Sequence, residues 1–259
     1  QFDILIKNAK LRGSESLTDI GIAGGKIVSV EKGLGGEAGV TVDAEANLVT
    51  ESFVNPHLHL CKVYTLQMMD EDALTAYQGE GMGKAMNAIE LAARVKEKYD
   101  KAWIIENARK AVTQAARFGN THIRAFADVD SKARLEGVKA LIRAREEFKG
   151  IVEIQVVAFA QDGWVRERGT DKLMREAMEL GADVVGGIPW IEYTEANTQQ
   201  HVKEIFDLAM EFNKDVSMLV DDAGDAGLRS LEMMAVEAIK RGWHGRALAG
   251  WEMRPHPQP

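Results

Sequence analysis

Beyond Phe53, short apolar runs alternate with amphipathic stretches at a spacing of roughly 30 residues, and this alternation constrains the fold more than any other feature of the chain. The runs Phe53–Leu60, Thr121–Ala127, Val152–Ala160, Asp183–Ile188, Asp215–Val220 and Arg246–Ala249 read as buried strands. Between them, Met86–Lys98, Trp103–Phe118, Ser131–Phe148, Asp171–Leu180, Thr198–Phe212 and Leu228–Arg241 read as helices. Gly119, Gly150, Gly181 and Gly242 each follow such a helix, where a C-terminal cap needs a residue tolerant of positive φ. Near-continuous apolar strands separated by helices predict a parallel sheet covered on both faces. The expected fold class is therefore α/β, a TIM-type (β/α) barrel with only about six strands present, where closure takes eight and the active site lies at the strand C-terminal ends.

The first 50 residues have a different texture. Short alternations broken by glycine, as in Ile4-Leu5-Ile6, Ile20-Gly21-Ile22 and Lys26-Ile27-Val28-Ser29-Val30, predict small antiparallel strands, with Gly24-Gly25 forming a tight hairpin. The chain thus divides into a β subdomain at 1–50, an incomplete barrel domain at 51–250 and an irregular, proline-rich tail at 251–259. Ending after six strands implies that a C-terminal portion is missing, and the two open parallel edges predict a homo-oligomer.

Composition narrows the partners. A net charge of -8 argues against nucleic acid, whose phosphates call for clustered Lys and Arg, and leaves a small molecule as the expected partner. No apolar run reaches the length of a membrane span and no signal peptide is visible, so no membrane partner is expected. A single cysteine, Cys61, excludes an intrachain disulfide and fits a reducing cytoplasm.

The sharpest motif is Asn55-Pro56-His57-Leu58-His59-Leu60-Cys61-Lys62, at the end of the first barrel-type strand. Alternate strand residues share a face, so His57, His59 and Cys61 are expected to point inward together. Two neutral imidazoles at this spacing can share one zinc or iron ion; the alternative is a pair of buried histidines bonded to neighbours.

With Phe53-Val54-Asn55-Pro56-His57-Leu58-His59 the chain resembles the amidohydrolase superfamily. Val156-Val157-Ala158-Phe159-Ala160-Gln161, Gly186-Gly187-Ile188-Pro189 and Asp215-Val216-Ser217-Met218-Leu219-Val220-Asp221-Asp222 narrow the resemblance to relatives of cytosine deaminase and N-isopropylammelide amidohydrolase. It implies hydrolysis of a carbon–nitrogen bond in a cyclic amidine or triazine-like molecule, using one divalent metal. By resemblance His57 and His59 are metal ligands, Asp222 is the proton-shuttling carboxylate and Gln161 grips the substrate ring; Asp221 is the candidate third ligand and Trp190 a candidate substrate contact.

Departures from the family pattern cluster in the same pocket. Leu219 and Trp251 stand where metal-site histidines belong, Phe126 and Trp190 replace histidines, and Cys61 replaces an acid. The strand that supplies the family's last aspartate is absent, and no lysine ends the fourth strand, so a mononuclear or empty site with impaired turnover is expected. Two further readings stay open: a metal-free hydrolase in which Cys61 attacks an activated ester with a histidine as base, and an oligomeric scaffold without catalysis. Asp128, Asp130, Asp162 and Glu192 lie near strand ends but read individually as solvated carboxylates or helix caps. Gly79-Glu80-Gly81-Met82-Gly83 follows no strand, which excludes a dinucleotide loop and leaves a loop over the barrel mouth. Leu231, Met233, Met234 and Val236 read as a helix core stripe.

Overall fold

The computed structural model describes residues 1–68, 94–223 and 225–250. The Gly79–Gly83 motif, most of the Met86–Lys98 stretch, Trp251 and the 251–259 tail lie outside the described residues. Two compact units emerge, Gln1–Ser52 and Phe53–Pro259.

In the first unit, β1 (Phe2–Leu11) pairs antiparallel with β2 (Leu17–Ala23), which turns through Gly24-Gly25 into β3 (Lys26–Glu31). Both glycines have positive φ, 59° and 73°, as a two-residue hairpin of this kind demands. The expectation of a wholly antiparallel unit is corrected here: β4 (Ala38–Asp43) and the short β5 (Leu48–Val49) run parallel to β1. The strand order is β3-β2-β1-β4. With the β2 hairpin on one side of β1, the chain returning from β3 crosses to the free side and enters in the same direction as β1.

The second unit holds β6 (Phe53–Leu58), β7 (Asn120–Asp128), β8 (Glu153–Ala160), β9 (Val184–Gly187), β10 (Asp215–Leu219) and β11 (Ala247–Gly250). Helices α1 (Lys101–Arg117), α2 (Glu136–Glu147), α3 (Thr170–Glu179), α4 (Glu195–Glu211) and α5 (Ser230–Lys240) alternate with them. All pairings are parallel and the strands lie in sequence order, β6 through β11. Every crossover therefore steps the same way, the winding of a barrel and not of a doubly wound sheet, whose order reverses at a switch point.

Local chemistry sets the helix ends. Asp100 caps α1 by accepting a bond from the Ala102 amide at 2.7 Å, and Thr194 caps α4 through the Asn197 amide. The four glycines expected as C-terminal caps all have φ between 64° and 104°. Strand alternation sorts the core into two layers. Ala125, Ala127, Val156, Ala158, Val216 and Met218 pack outward against the helices, whereas Phe126, Val157, Phe159, Val184 and Leu219 fill the concave face. The expected stripe on α5 is only partly used: Met234 is buried, while Leu231 and Val236 remain exposed because the helix turns one narrow edge to the sheet.

The curl of the sheet can be read from one contact. In a flat six-stranded sheet β6 and β11 would lie about 24 Å apart. Yet a Cβ built at Gly250 on β11 falls 3.8 Å from His57 Nδ1 on β6 and 3.0 Å from Leu219. The six strands thus form a tightly curled half-barrel whose two edge strands approach each other beside His57.

Candidate active site at the strand ends

Pro56 lacks an amide hydrogen and sits on an edge strand, where that loss is tolerated. Around it the β6–β7 register slips: Asn55 pairs with Ile123, but Leu58 pairs with Ala125. The irregularity leaves His57 and His59 together on the concave face, ring centroids 5.0 Å apart. His57 stacks at 4.1 Å on Phe126, and His59 lies 5.3 Å from Phe126 and 5.4 Å from Phe159. The sequence-predicted pair is thus embedded in an aromatic wall.

Beside it lies a group of charges that sequence reasoning undervalued. Lys62 Nζ bonds both oxygens of Asp128, at 3.2 and 3.1 Å, and Gln161 Oε1 at 2.8 Å. Lys96 Nζ, in the segment before α1, bonds Asp130 at 2.9 Å and Asp162 at 2.6 Å and lies 3.5 Å from Asp128. Asp128, Asp130 and Lys96 are completely buried. These carboxylates are not the solvated residues expected singly, because β7 and β8 end side by side and bring them to one place. Burial works against the Lys96 charge, but Asp128, Asp130 and Asp162 more than offset it and hold the ammonium protonated. Burial also opposes the Asp128 charge, yet Lys62 and Lys96 hold that carboxyl well below the usual range. At Asp162 burial prevails and raises the pKa despite Lys96, as befits three carboxylates sharing two ammonium groups. Burial and the Lys62 charge push His59 down to about 4, so its imidazole is neutral near pH 7 although Nδ1 lies 3.4 Å from Asp128.

Cys61 does not join this face. Strand geometry ends at Leu58, and residues Leu60–Lys62 form a 3-10 turn, so the two-residue alternation that was to bring Cys61 beside His59 stops short of it. The thiol lies in the outer layer, its Cβ close beneath Gly137 of α2, and Sγ accepts a bond from the Asp128 amide at 3.4 Å. Burial, then the Asp128 carboxylate, pushes it up to about 12. The structure thus does not bring Cys61 to the face that carries His59, and burial disfavours its thiolate.

At the ends of β9 and β10 the acids serve the fold. Glu192 accepts bonds from the amides of Trp164, Val165 and Arg166 and from His201 Nδ1. Asp221 has a left-handed backbone, φ 53°, which breaks the strand alternation. Its oxygens accept from the Ser230 amide and hydroxyl and the Leu231 amide, capping α5. Asp222 accepts a bond from Trp190 Nε1, pairing two residues the sequence had named for separate tasks.

Zinc in a catalytic site takes about three protein ligands plus an open position. Here Leu219 supplies an apolar side chain beside His57, Asp221 is engaged by α5, and Asp128 is neutralised by lysines. Among the described residues no group of three His, Cys, Asp or Glu could hold a metal ion. The donor set present does not fit a resident divalent metal.

Residues 40–257 match the Amidohydrolase family. The chain is 31% identical over 245 residues to N-isopropylammelide isopropyl amidohydrolase of Pseudomonas sp. (strain ADP), covering 95% of this chain and 60% of that protein. Among solved structures it is similar to 5-methylcytosine deaminase of Klebsiella pneumoniae liganded with 5-fluorocytosine, with TM-score 0.83 and 29% identity over 95% of this chain and 58% of that one. N-isopropylammelide isopropylaminohydrolase of Burkholderia multivorans shares the fold, with TM-score 0.68 at 24% identity, over 96% of this chain and 60% of that one. The chain thus spans about three fifths of the length of these relatives. With the half-barrel, the paired histidines at its first strand end and a match over most of its length, the chain belongs to the amidohydrolase family.

Proposed function

We propose that this chain provides the ring-binding face of a hydrolase that cleaves a carbon–nitrogen bond in a small cyclic amidine or triazine-like molecule, with impaired turnover in the chain as it stands. In such a reaction water adds to the ring carbon, the carbon–nitrogen bond breaks, and ammonia or an amine leaves with the transferred proton. The observation that carries the reading is the meeting of the His57, His59, Phe126 and Phe159 rings with the Gln161–Lys62 polar group at one set of strand ends. A planar heterocycle can stack on such a wall while an amide fixes its rotation. In this reading Asp222, whose carboxylate accepts a bond from the Trp190 indole, carries the proton.

The family's metal would be zinc or iron; with a donor set that does not fit it, elemental analysis should find well under one equivalent per chain, and ammonia release from cytosine should be undetectable. Calorimetric titration with cytosine and N-isopropylammelide tests the binding half: at least one should bind, and failure of both overturns the reading. A reducing cytoplasm suits the buried thiol, and no helix among the described residues is long and apolar enough to cross a membrane.

A second reading, a self-associating scaffold, draws on the exposed apolar side chains of the edge strands, Phe53, Val54 and Leu248. Light scattering decides it: a monomer at all concentrations excludes a homo-oligomer.

A further inference from the structure

We infer that Lys62 is a positioning residue that fixes the polarity of Gln161, so that Gln161 presents a hydrogen-bond donor, and never its carbonyl, to whatever occupies the strand-end mouth. The inference rests on the ring-binding reading above for its ligand, but the lock itself stands on contacts within the chain.

An ammonium group has three hydrogens and no acceptor. Those of Lys62 are matched by three acceptor atoms, Asp128 Oδ1 at 3.2 Å, Asp128 Oδ2 at 3.1 Å and Gln161 Oε1 at 2.8 Å. A lysine can meet only the oxygen end of a carboxamide, so the identity of the Gln161 atom facing it follows from chemistry and not from a choice between two look-alike ends. Asp128 in turn cannot move: it is completely buried, faces Lys96 on its other side and donates its own amide to Cys61 Sγ. Rotating the Gln161 amide by half a turn would set its NH2 against the Lys62 NH3⁺, two donors facing each other with no acceptor between them, and would lose the charge-assisted bond.

The other end of the amide is available. Gln161 Nε2 has no hydrogen-bond partner among the described residues, and it is not among the buried side-chain atoms left without one. It therefore reaches the surface through the 6% of Gln161 that remains exposed. Lys62 keeps 22% of its side chain exposed and lies on the same mouth. A donor held in this way reads a carbonyl oxygen or an unprotonated ring nitrogen and rejects an amino group at the same position, because two donors would then oppose each other without water. The ligand class that fits is a heterocycle with a ring carbonyl.

Two measurements on the full chain test this. The first needs no ligand: in a 15N-labelled sample the Gln161 side-chain amide pair, identified by its disappearance in Gln161→Met, should shift clearly in Lys62→Met and stay near its original position in Lys62→Arg, which keeps a donor. An unmoved pair in Lys62→Met overturns the lock. The second compares cytosine with 2,4-diaminopyrimidine, which carries an amino donor in place of the ring carbonyl, at a pH where both are neutral. Cytosine should bind at least tenfold more tightly to the unaltered chain, and Lys62→Met should reduce that preference to within about threefold by freeing the amide to turn. Equal binding by the unaltered chain, or a preference that survives Lys62→Met, refutes the inference while leaving ring binding intact. If neither compound binds and the amide pair still responds to Lys62→Met, the ring-binding reading falls and the Lys62–Gln161 lock stands.

Discussion

Two neighbouring arcs of the half-barrel mouth treat their acids in opposite ways. At the ends of β6, β7 and β8, Asp128, Asp130 and Asp162 meet the ammonium groups of Lys62 and Lys96. At the ends of β9 and β10, Glu192 and Asp221 accept mainly backbone amides, clamping residues 164–166 and capping α5. Charge pairs desolvated in this way bind strongly to each other but are costly to leave half made, whereas amide-bound carboxylates hold local backbone shape. In both arcs the carboxylates that could have served an ion are already engaged, by lysine in one and by the chain itself in the other.

The largest effect expected from breaking this contrast is at Lys96. Lys96→Met removes the ammonium that three aspartates share and leaves buried carboxylates uncompensated, a loss of about 3–5 kcal/mol in urea unfolding. A loss under about 1 kcal/mol would mean that the first arc is held by something other than charge. Acid sharpens the same point. A carboxylate held below its unfolded pKa stabilises the fold above that value and loses the contribution as pH falls, so Asp128 favours the native state down to strongly acidic pH. Asp162, raised by burial, works the other way and should take up the first proton of the cluster. His59, neutral in the fold down to about 4 but protonating near 6.5 when unfolded, supports stability fully above about 6.5 and progressively less between about 6.5 and 4. The urea midpoint should therefore decline across that window in the unaltered chain and less in His59→Gln; a flat midpoint for both contradicts the assignment.

The second arc should respond more modestly and by a different mechanism. Gly187 on β9 lies under the buried His201 ring, and an added Cβ would collide with His201 Nε2. Gly187→Ala should cost about 1–3 kcal/mol as overpacking, with little change in pH dependence. Asp221→Ala removes the cap of α5 and should cost about 0.5–2 kcal/mol without altering metal content. Were Asp221→Ala to change metal uptake, the residue would have to be read as a ligand after all.

What was legible in the sequence follows the same divide. The βα alternation and its capping glycines showed the half-barrel because those signals are local and periodic, with strand ends such as Leu58 displaced by a residue or two from expectation. Alternation also placed His57 and His59 correctly, and the family motifs drew attention to Gln161, Trp190 and Asp222. It failed at Cys61 and Asp221, where a 3-10 turn and a left-handed residue interrupt the strand. The parallel return of β4 was illegible because pairing direction depends on where a crossover lands. Lys62 and Lys96 were missed as partners since their hydrogen bonds join them to aspartates 34 or 66 residues away, distances at which no periodicity operates. The available signal was indirect: several aspartates ending adjacent parallel strands must find cations if they are buried.

The smallest expected effect concerns Cys61, and it separates the inward face from the outer layer. A cysteine next to imidazolium alkylates quickly at mildly acidic pH, because a stabilised thiolate persists below the ordinary pKa of about 8.5. Cys61 is 1% exposed, its thiol is pushed up to about 12 by burial and by Asp128, and its Cβ lies close beneath Gly137 of α2. The thiolate population near neutral pH should then be on the order of a thousandfold below that of a free cysteine, before access is considered. Iodoacetamide should accordingly label the chain only as fast as it opens, with a rate that rises in urea and is insensitive to His59→Ala in the folded state. Cys61→Ala should leave any residual ester cleavage unchanged. Rapid labelling at pH 6 that His59→Ala slows would return Cys61 to the inward face and require the Leu60–Lys62 turn to unwind into strand, carrying Lys62 away from Gln161.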